Sequence, residues 1–337
     1  MKAAVIHEQG PPDVLKIEEV EDPTPGPTQV VIKVRACGVC GHDQADRLGL
    51  TQPHAMPCVL GHEMSGEIVE VGSQVRHFKK GDLVATKQFT TCGHCLACRS
   101  GRDLDCEAKY FNYGGYAEYV AIDDNAVLNV SEGVDLAGAS IVACAIGTCY
   151  QALTNIARVF PGEWVVVTGA GGGLGLHGVQ VAAVLGGRVI AVTTSPHKND
   201  LLAKIGAEHV VVGRDEPYAN QILEITGGKG AEVVLDQVGH PAQFSQCFRA
   251  LAKHGRYVLT GQLYREKISF YGAFVFGKES TISGSQSTPM SAFMRSMELV
   301  RQGKVKPVYQ EMPLADAAKA HAGIEDRSIV GRAVLVP

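Results

Sequence analysis

Much is missing from this 337-residue chain, and the absences narrow its chemistry. No stretch reaches the roughly 18 uninterrupted apolar residues of a membrane-spanning helix. No block of lysine or arginine supplies the footprint of a nucleic-acid binder, and 31 basic against 35 acidic residues leave a formal charge of -4. Residues 1–10 lack a basic end followed by a long apolar run, so no secretory signal is visible and a cytoplasmic protein is expected. There is no low-complexity tract and no internal repeat. Ten cysteines in 337 residues are too sparse for a small disulfide scaffold. What remains is ordinary globular composition, 45% apolar and 20% charged, in a chain long enough for about two domains.

Four of the cysteines are clustered, at Cys92, Cys95, Cys98 and Cys106, spaced C-x2-C-x2-C-x7-C. Four thiolates so near in sequence can wrap one metal ion, and tetrahedral sulfur ligation suits zinc or an iron–sulfur centre. A four-thiolate zinc site is closed to substrate, so the cluster reads as structural. Disulfides are the competing reading and require an oxidising compartment. Gly93 and Gly101 permit tight turns that let backbone N–H groups face the sulfurs.

Residues 1–125 read as mostly β. Val30–Val34, Gly66–Val71, Asp82–Ala85 and Ala117–Ile122 are short segments between turn signals. Near residue 145 the pattern changes. Trp164–Thr168 is a continuous apolar run, as a strand buried on both faces requires. Helical spacing over Leu174–Leu185 follows, then strand Arg188–Val192, helix Lys198–Ile205 and strand His209–Val212. Val233–Leu235, Tyr257–Leu259 and Thr281–Ser283 continue the alternation, which predicts a doubly wound parallel sheet. A helix at Ser291–Gln302 leads to a tail ending in strand Ala333–Val336, which is expected to return to the first domain.

A catalytic zinc needs three protein ligands and one open position. Cys40, His62 and Cys144, in C-G-V-C-G-H-D (Cys37–Asp43), G-H-E (Gly61–Glu63) and C-A-I-G-T (Cys144–Thr148), would supply two thiolates and one imidazole. Each alone has a plainer reading, because a lone cysteine in an apolar stretch is usually a packed small hydrophobe. That reading is given to Cys37, Cys58, Cys149 and Cys247, while His54, His77, His94 and His321 read as surface histidines.

Together the motifs resemble the zinc-dependent alcohol dehydrogenases of the medium-chain dehydrogenase/reductase family, in family order over essentially the whole chain. Besides the three ligand segments and the cysteine lobe, the resemblance includes G-G-Y-A-E-Y at Gly114–Tyr119 and a glycine-rich turn. It implies an α/β fold: a GroES-like, mostly-β catalytic domain at residues 1–149 and 289–337, and a Rossmann coenzyme domain, a doubly wound parallel sheet, at 150–288. It makes Cys40, His62 and Cys144 the catalytic zinc ligands, with Cys92, Cys95, Cys98 and Cys106 holding a structural zinc. Glu63 matches an acid that can approach the metal, Asp43 the acid that orients the ligating histidine, and Thr148 a position between metal and nicotinamide. Two positions depart from the pattern. His42 stands where a hydroxyl often begins a proton relay, and Ala45 where a relay histidine is common. Imidazole exchanges protons readily near neutral pH, so His42 is a candidate relay.

The turn Thr168–Gly175 (T-G-A-G-G-G-L-G) lies between a strand and a helix, where glycines and a helix N-terminus suit a phosphate. Strict G-x-G-x-x-G fails because residue 174 is leucine; the segment resembles a longer family variant using Gly169, Gly171, Gly172, Gly173, Leu174 and Gly175. An NAD site usually has an acid at the end of the second strand. Here Thr193, Thr194, Ser195 and Lys198 occupy that stretch, which favours NADP over NAD.

The resemblance implies hydride transfer between NAD(P) and an alcohol, aldehyde or ketone, with zinc as Lewis acid on the substrate oxygen. Enoyl reduction of the acryloyl-CoA kind is the alternative, since the cofactor half is also similar to NADPH-dependent enoyl reductases. A zinc-bearing binding protein without activity is disfavoured by the intact Cys40, His62, Glu63 and Cys144. Thr281–Ser285 resembles an edge strand that pairs between subunits, implying a homodimer or homotetramer. The pocket is expected from loops at Gly49–Ala55, Lys109–Asn112 and Gly261–Phe276.

Overall fold

Strand Gln29–Val39 organises the N-terminal half. Its apolar residues are buried, and it pairs with Glu63–Val71, Tyr119–Asp123 and the C-terminal strand Arg332–Val336. The tail therefore does return to the first part of the chain. Register brings distant segments into one row, with Gly38 opposite Glu63 on one side and Val334 on the other. The first two ligand motifs and the tail thus meet at one end of a seven-stranded sheet. Ile32, Val34, Met64, Ile68 and Leu335 pack beneath it in one apolar cluster.

The computed structural model describes residues 1–51, 55–213, 217–261 and 266–337. His54 and parts of the 49–55 and 261–276 loops lie outside the described residues. The chain divides into two units, one of Met1–Gly147, Ser287–Gly303 and Pro307–Pro337, the other of Thr148–Gln286 and Lys304–Lys306. In the first, helix Leu136–Ser140 runs into a wide π-type turn, Val142–Ile146, that carries Cys144. Such turns are rare and recur at functional sites.

The second unit is built on a six-stranded parallel sheet. Its order is Ala207–Val212, Arg188–Thr193, Trp164–Val167, Ala231–Asp236, Leu251–Leu259 and Thr281–Gly284. The apolar run Val165–Val167 is wholly buried, as its lack of alternation required. The chain reverses its direction of winding beside Trp164–Val167, and ligands of open α/β sheets bind outside the strand ends at such a point. Among the described residues, no helix is long and apolar enough to cross a membrane.

Candidate active site

Cys40 caps the helix Gly41–Arg47, its thiol accepting from the Asp43 backbone N–H while the Asp43 carboxylate accepts from the Cys40 backbone at 2.9 Å. This reciprocal box fixes the direction of the sulfur. His62 and Glu63 follow Gly61, whose φ of 90° only glycine adopts readily. A Cβ at Gly61 would stand 2.5 Å from the Tyr116 ring, so the turn also depends on close approach. Cys144 arrives from the π-type turn. Ligand atoms of Cys40, His62, Glu63 and Cys144 all lie within 4.8 Å of one another.

Burial sets the electrostatics of this cluster. His62 and Glu63 have at most 1% of their surface exposed. The hydrogen bond between the two sulfurs holds the Cys40 thiol well below its usual range and pushes Cys144 well above it. Burial raises Glu63 to about 7 against the pull of Arg332. Arg332 Nη2 is 2.9 Å from Glu63 Oε1, yet neither Glu63 oxygen accepts a hydrogen bond, and Arg332 Nε is likewise buried without one. Burial works to lower the His62 imidazole, but Asp43 and Cys40 outweigh it.

These residues fit a zinc ion. Two sulfurs on a tetrahedral zinc, at Zn–S of about 2.3 Å, stand about 3.8 Å apart. Cys40 Sγ and Cys144 Sγ are 3.8 Å apart, and all ten cysteines are free. A dication would also share with Arg332 the charge of Glu63, whose oxygens accept no hydrogen bond, and of the two thiols, which burial otherwise leaves at high cost. The lobe fits as well. Its sulfurs are 3.9 Å (Cys92–Cys98) and 3.5 Å (Cys95–Cys98) apart, far beyond the ~2.05 Å of a disulfide. Backbone N–H groups of Cys95, Cys98 and Cys92 point at the sulfurs of Cys92, Cys95 and Cys106. Backbone donors, first that of His94, lower Cys92 to about 6. Gly93 and Gly101, both at positive φ, make the turns that aim these donors.

In the second unit, Gly169 turns at φ 59° after the central strand, and Gly172 caps the helix Gly173–Val184. A Cβ at Gly175 would stand 2.1 Å from the Gly169 carbonyl oxygen, so helix and turn touch there only through glycine. Thr193 Oγ1 accepts from the Ser195 backbone, and Lys198 Nζ donates to the Gly171 carbonyl at 3.0 Å. Lys198 is buried, which lowers its amine, so it braces the turn rather than starting a solvated helix. Thr194 and Ser195 remain partly exposed.

Comparison with known proteins agrees with this geometry. Residues 26–132 match the family model for the alcohol dehydrogenase GroES-like domain, and residues 173–302 that for zinc-binding dehydrogenases. An NAD-dependent alcohol dehydrogenase of Sulfurisphaera tokodaii is 35% identical, with all of both chains covered. The chain belongs to the zinc-dependent alcohol dehydrogenases of the medium-chain dehydrogenase/reductase family. Two further relatives bound the range of this family. An acryloyl-coenzyme A reductase of the same organism is 32% identical over the full length of both chains. The crystal structure of the alcohol dehydrogenase from Aeropyrum pernix is 33% identical and superposes with a TM-score of 0.93, again over all of both chains. The chain is thus an oxidoreductase with a GroES-like and a Rossmann-type half.

Within this alcohol dehydrogenase scaffold, the structure gathers Cys40, His62, Glu63 and Cys144, with Asp43 on His62 Nδ1 at 3.0 Å. His42 stands beside them, its ring centroid 5.6 Å from that of His62. Thr148 is buried at the start of the second unit. Of the histidines read as surface residues, His77 and His94 are exposed, but His321 is not. It is fully buried, because Arg47 and Tyr116 satisfy both ring nitrogens. Sequence reasoning also missed Phe111, whose ring packs against His42 and His62, and Arg332. Phe111 lies in the 109–112 segment already expected near the pocket. Arg332 opens an apolar strand, and nothing in R-A-V-L-V announces a buried charge.

Proposed function

We propose that this chain transfers hydride between NADP and an alcohol or its aldehyde or ketone, with one catalytic and one structural zinc per chain. The observation that carries the reading is the close set of two thiols, an imidazole and a carboxylate, buried except at the partly exposed Cys40. Cys40, His62 and Cys144 would hold the catalytic ion and leave a position for substrate, while Cys92, Cys95, Cys98 and Cys106 would hold the other. Bound there, zinc supplies a Lewis acid for the substrate oxygen. The remaining work falls to side chains. Asp43 holds the His62 ring by Nδ1, so Nε2 is the nitrogen offered to the metal. Phe111 packs edge-on against both histidine rings and helps keep water from the buried His62. His42, with 39% of its side chain exposed, carries the substrate proton toward solvent.

The 169–175 turn and its helix would receive the pyrophosphate. Thr193, Thr194, Ser195 and Lys198 replace the usual acid and suit a 2′-phosphate, with Lys198 acting from beneath through the turn. Thr194→Asp tests this: NADPH should lose about tenfold in kcat/KM relative to NADH, about 1.4 kcal/mol. An unchanged ratio removes the NADP assignment. The open Thr281–Gly284 sheet edge supports self-association, which light scattering would measure.

Enoyl reduction is the second reading. Ala45, where a relay histidine is common, and the full-length acryloyl-coenzyme A reductase relative favour it. One assay decides: NADPH with a panel of aldehydes and ketones beside acryloyl-CoA. Turnover of the thioester alone removes carbonyl chemistry.

A further inference from the structure

The Asp43 carboxylate accepts four hydrogen bonds. Oδ1 takes the Gly61 backbone N–H at 3.2 Å and His62 Nδ1 at 3.0 Å. Oδ2 takes the Cys40 backbone N–H at 2.9 Å and the Tyr116 hydroxyl at 3.0 Å. Behind Tyr116, His321 Nε2 is 3.2 Å from the phenol oxygen, and Arg47 Nε is 3.2 Å from His321 Nδ1. Arg47 also donates to the Gly10 carbonyl and the Glu325 carboxylate. Asp43, Arg47, Tyr116 and His321 are all buried, each at 0% exposure.

The direction of every bond follows from one end. A guanidinium has only donors. Arg47 Nε–H must therefore donate, and His321 Nδ1 must accept. Burial lowers His321 to about 4, so the ring is neutral and its single proton sits on Nε2. That N–H donates to the Tyr116 oxygen, which leaves the tyrosine proton for Asp43 Oδ2. Both Asp43 oxygens already accept a backbone N–H, Oδ1 that of Gly61 and Oδ2 that of Cys40, so the carboxylate stands as the acceptor at the end of the chain. It takes the His62 Nδ1 proton, so Nε2 is the nitrogen left to face a metal.

We propose that Arg47, His321 and Tyr116 form a one-directional hydrogen-bond chain that fixes the tautomer and orientation of His62, making Tyr116 and His321 positioning residues for the metal site. This rests on the reading of His62 as a metal ligand. The chain begins and ends on one short element, since Asp43 and Arg47 both belong to the helix Gly41–Arg47. It passes out through Tyr116 and through His321 on the helix Ala317–Glu325 before it returns. A tautomer set this way survives changes of solvent, because none of its members reaches water.

The test uses the full zinc-loaded chain and reads metal rather than turnover. Tyr116→Phe removes one donor and keeps the ring. His321→Leu cuts the chain, and His321→Gln preserves its direction, with an amide oxygen for Arg47 and an N–H for Tyr116. Zinc release is followed with a chromophoric chelator, the lobe zinc serving as internal reference for the fold. Tyr116→Phe and His321→Leu should release the open-site zinc about tenfold faster or more. His321→Gln should stay near wild type, with lobe release unchanged throughout. Long-range 15N–1H spectra of the wild type should show His321 as the neutral Nε2–H tautomer. Wild-type release in Tyr116→Phe, equal impairment by Gln and Leu at 321, or a proton on His321 Nδ1 overturns the proposal. If His321→Leu does not fold, Tyr116→Phe and His321→Gln decide alone. Failure of the ligand reading is separately visible, as a wild-type protein whose zinc content ignores Cys144→Ser.

Discussion

The two thiol clusters of this chain are built on opposite plans. The lobe takes its four sulfurs from one short segment, Cys92–Cys106, and three of them are partly exposed. Its negative charge is met by neighbouring backbone N–H groups. The Cys40–His62–Cys144 cluster takes its atoms from three segments, its two cysteines standing 104 positions apart. Apart from the partly exposed Cys40, it is buried among ionisable side chains, Glu63, Asp43 and Arg332. A local loop with amide donors needs only the metal to hold its shape. A largely buried, charge-rich set drawn from two sheet strands' ends and a π-type turn is held by side-chain partners from distant segments. The contrast is what the proposed roles require, a fastening in one place and a reaction site in the other.

The sharpest way to break the comparison is to remove one ligand from each cluster. Cys144→Ser should lower kcat/KM on the order of a thousandfold, since a Lewis acid is worth several kcal/mol at the transition state and each decade is about 1.36 kcal/mol. Metal analysis should find one zinc per chain, with the thermal midpoint nearly unchanged. Arg332→Met should come next, destabilising by about 3 kcal/mol because Glu63 is left as an unpaired buried charge. Adding Glu63→Met should recover most of that loss in urea titrations. If the single and double variants unfold alike, the pair is not what balances the site. Cys98→Ser in the lobe should have the smallest effect on chemistry. The midpoint should fall by roughly 5 °C, at about 2–4 °C per kcal/mol for a domain of this size, with kcat of the folded fraction within about twofold. A large kcat loss at constant stability would erase the distinction between the clusters.

The same contrast explains what was legible in the sequence. The lobe and the 169–175 turn are local, so spacing alone exposes them. The parallel sheet was legible because its buried strands are unbroken apolar runs between helical segments, as Val165–Val167 illustrates. The open site was legible only as separate motifs; the residues alone give no reason to join Cys40 to Cys144, and the family pattern did so. Arg332 and His321 were not legible at all. One sits at the start of an apolar strand, the other in a helix of alanines and glycine, and each acquires its partners from far along the chain. His321 shows the rule most plainly. A histidine is read as exposed unless both ring nitrogens have partners, and those partners, Arg47 and Tyr116, lie 274 and 205 positions away.

The register of strand Arg332–Val336 has a consequence for the order of events during synthesis. Arg332 follows the whole Thr148–Gln286 unit in sequence, yet it stands beside Glu63 and completes the sheet begun by Gln29–Val39. A ribosome therefore delivers Cys40, His62, Glu63 and Cys144 long before it delivers their counter-charge. The first unit cannot close until the second has been made, so maturation of the candidate site is timed by the translation of a part of the protein that supplies none of its four side chains.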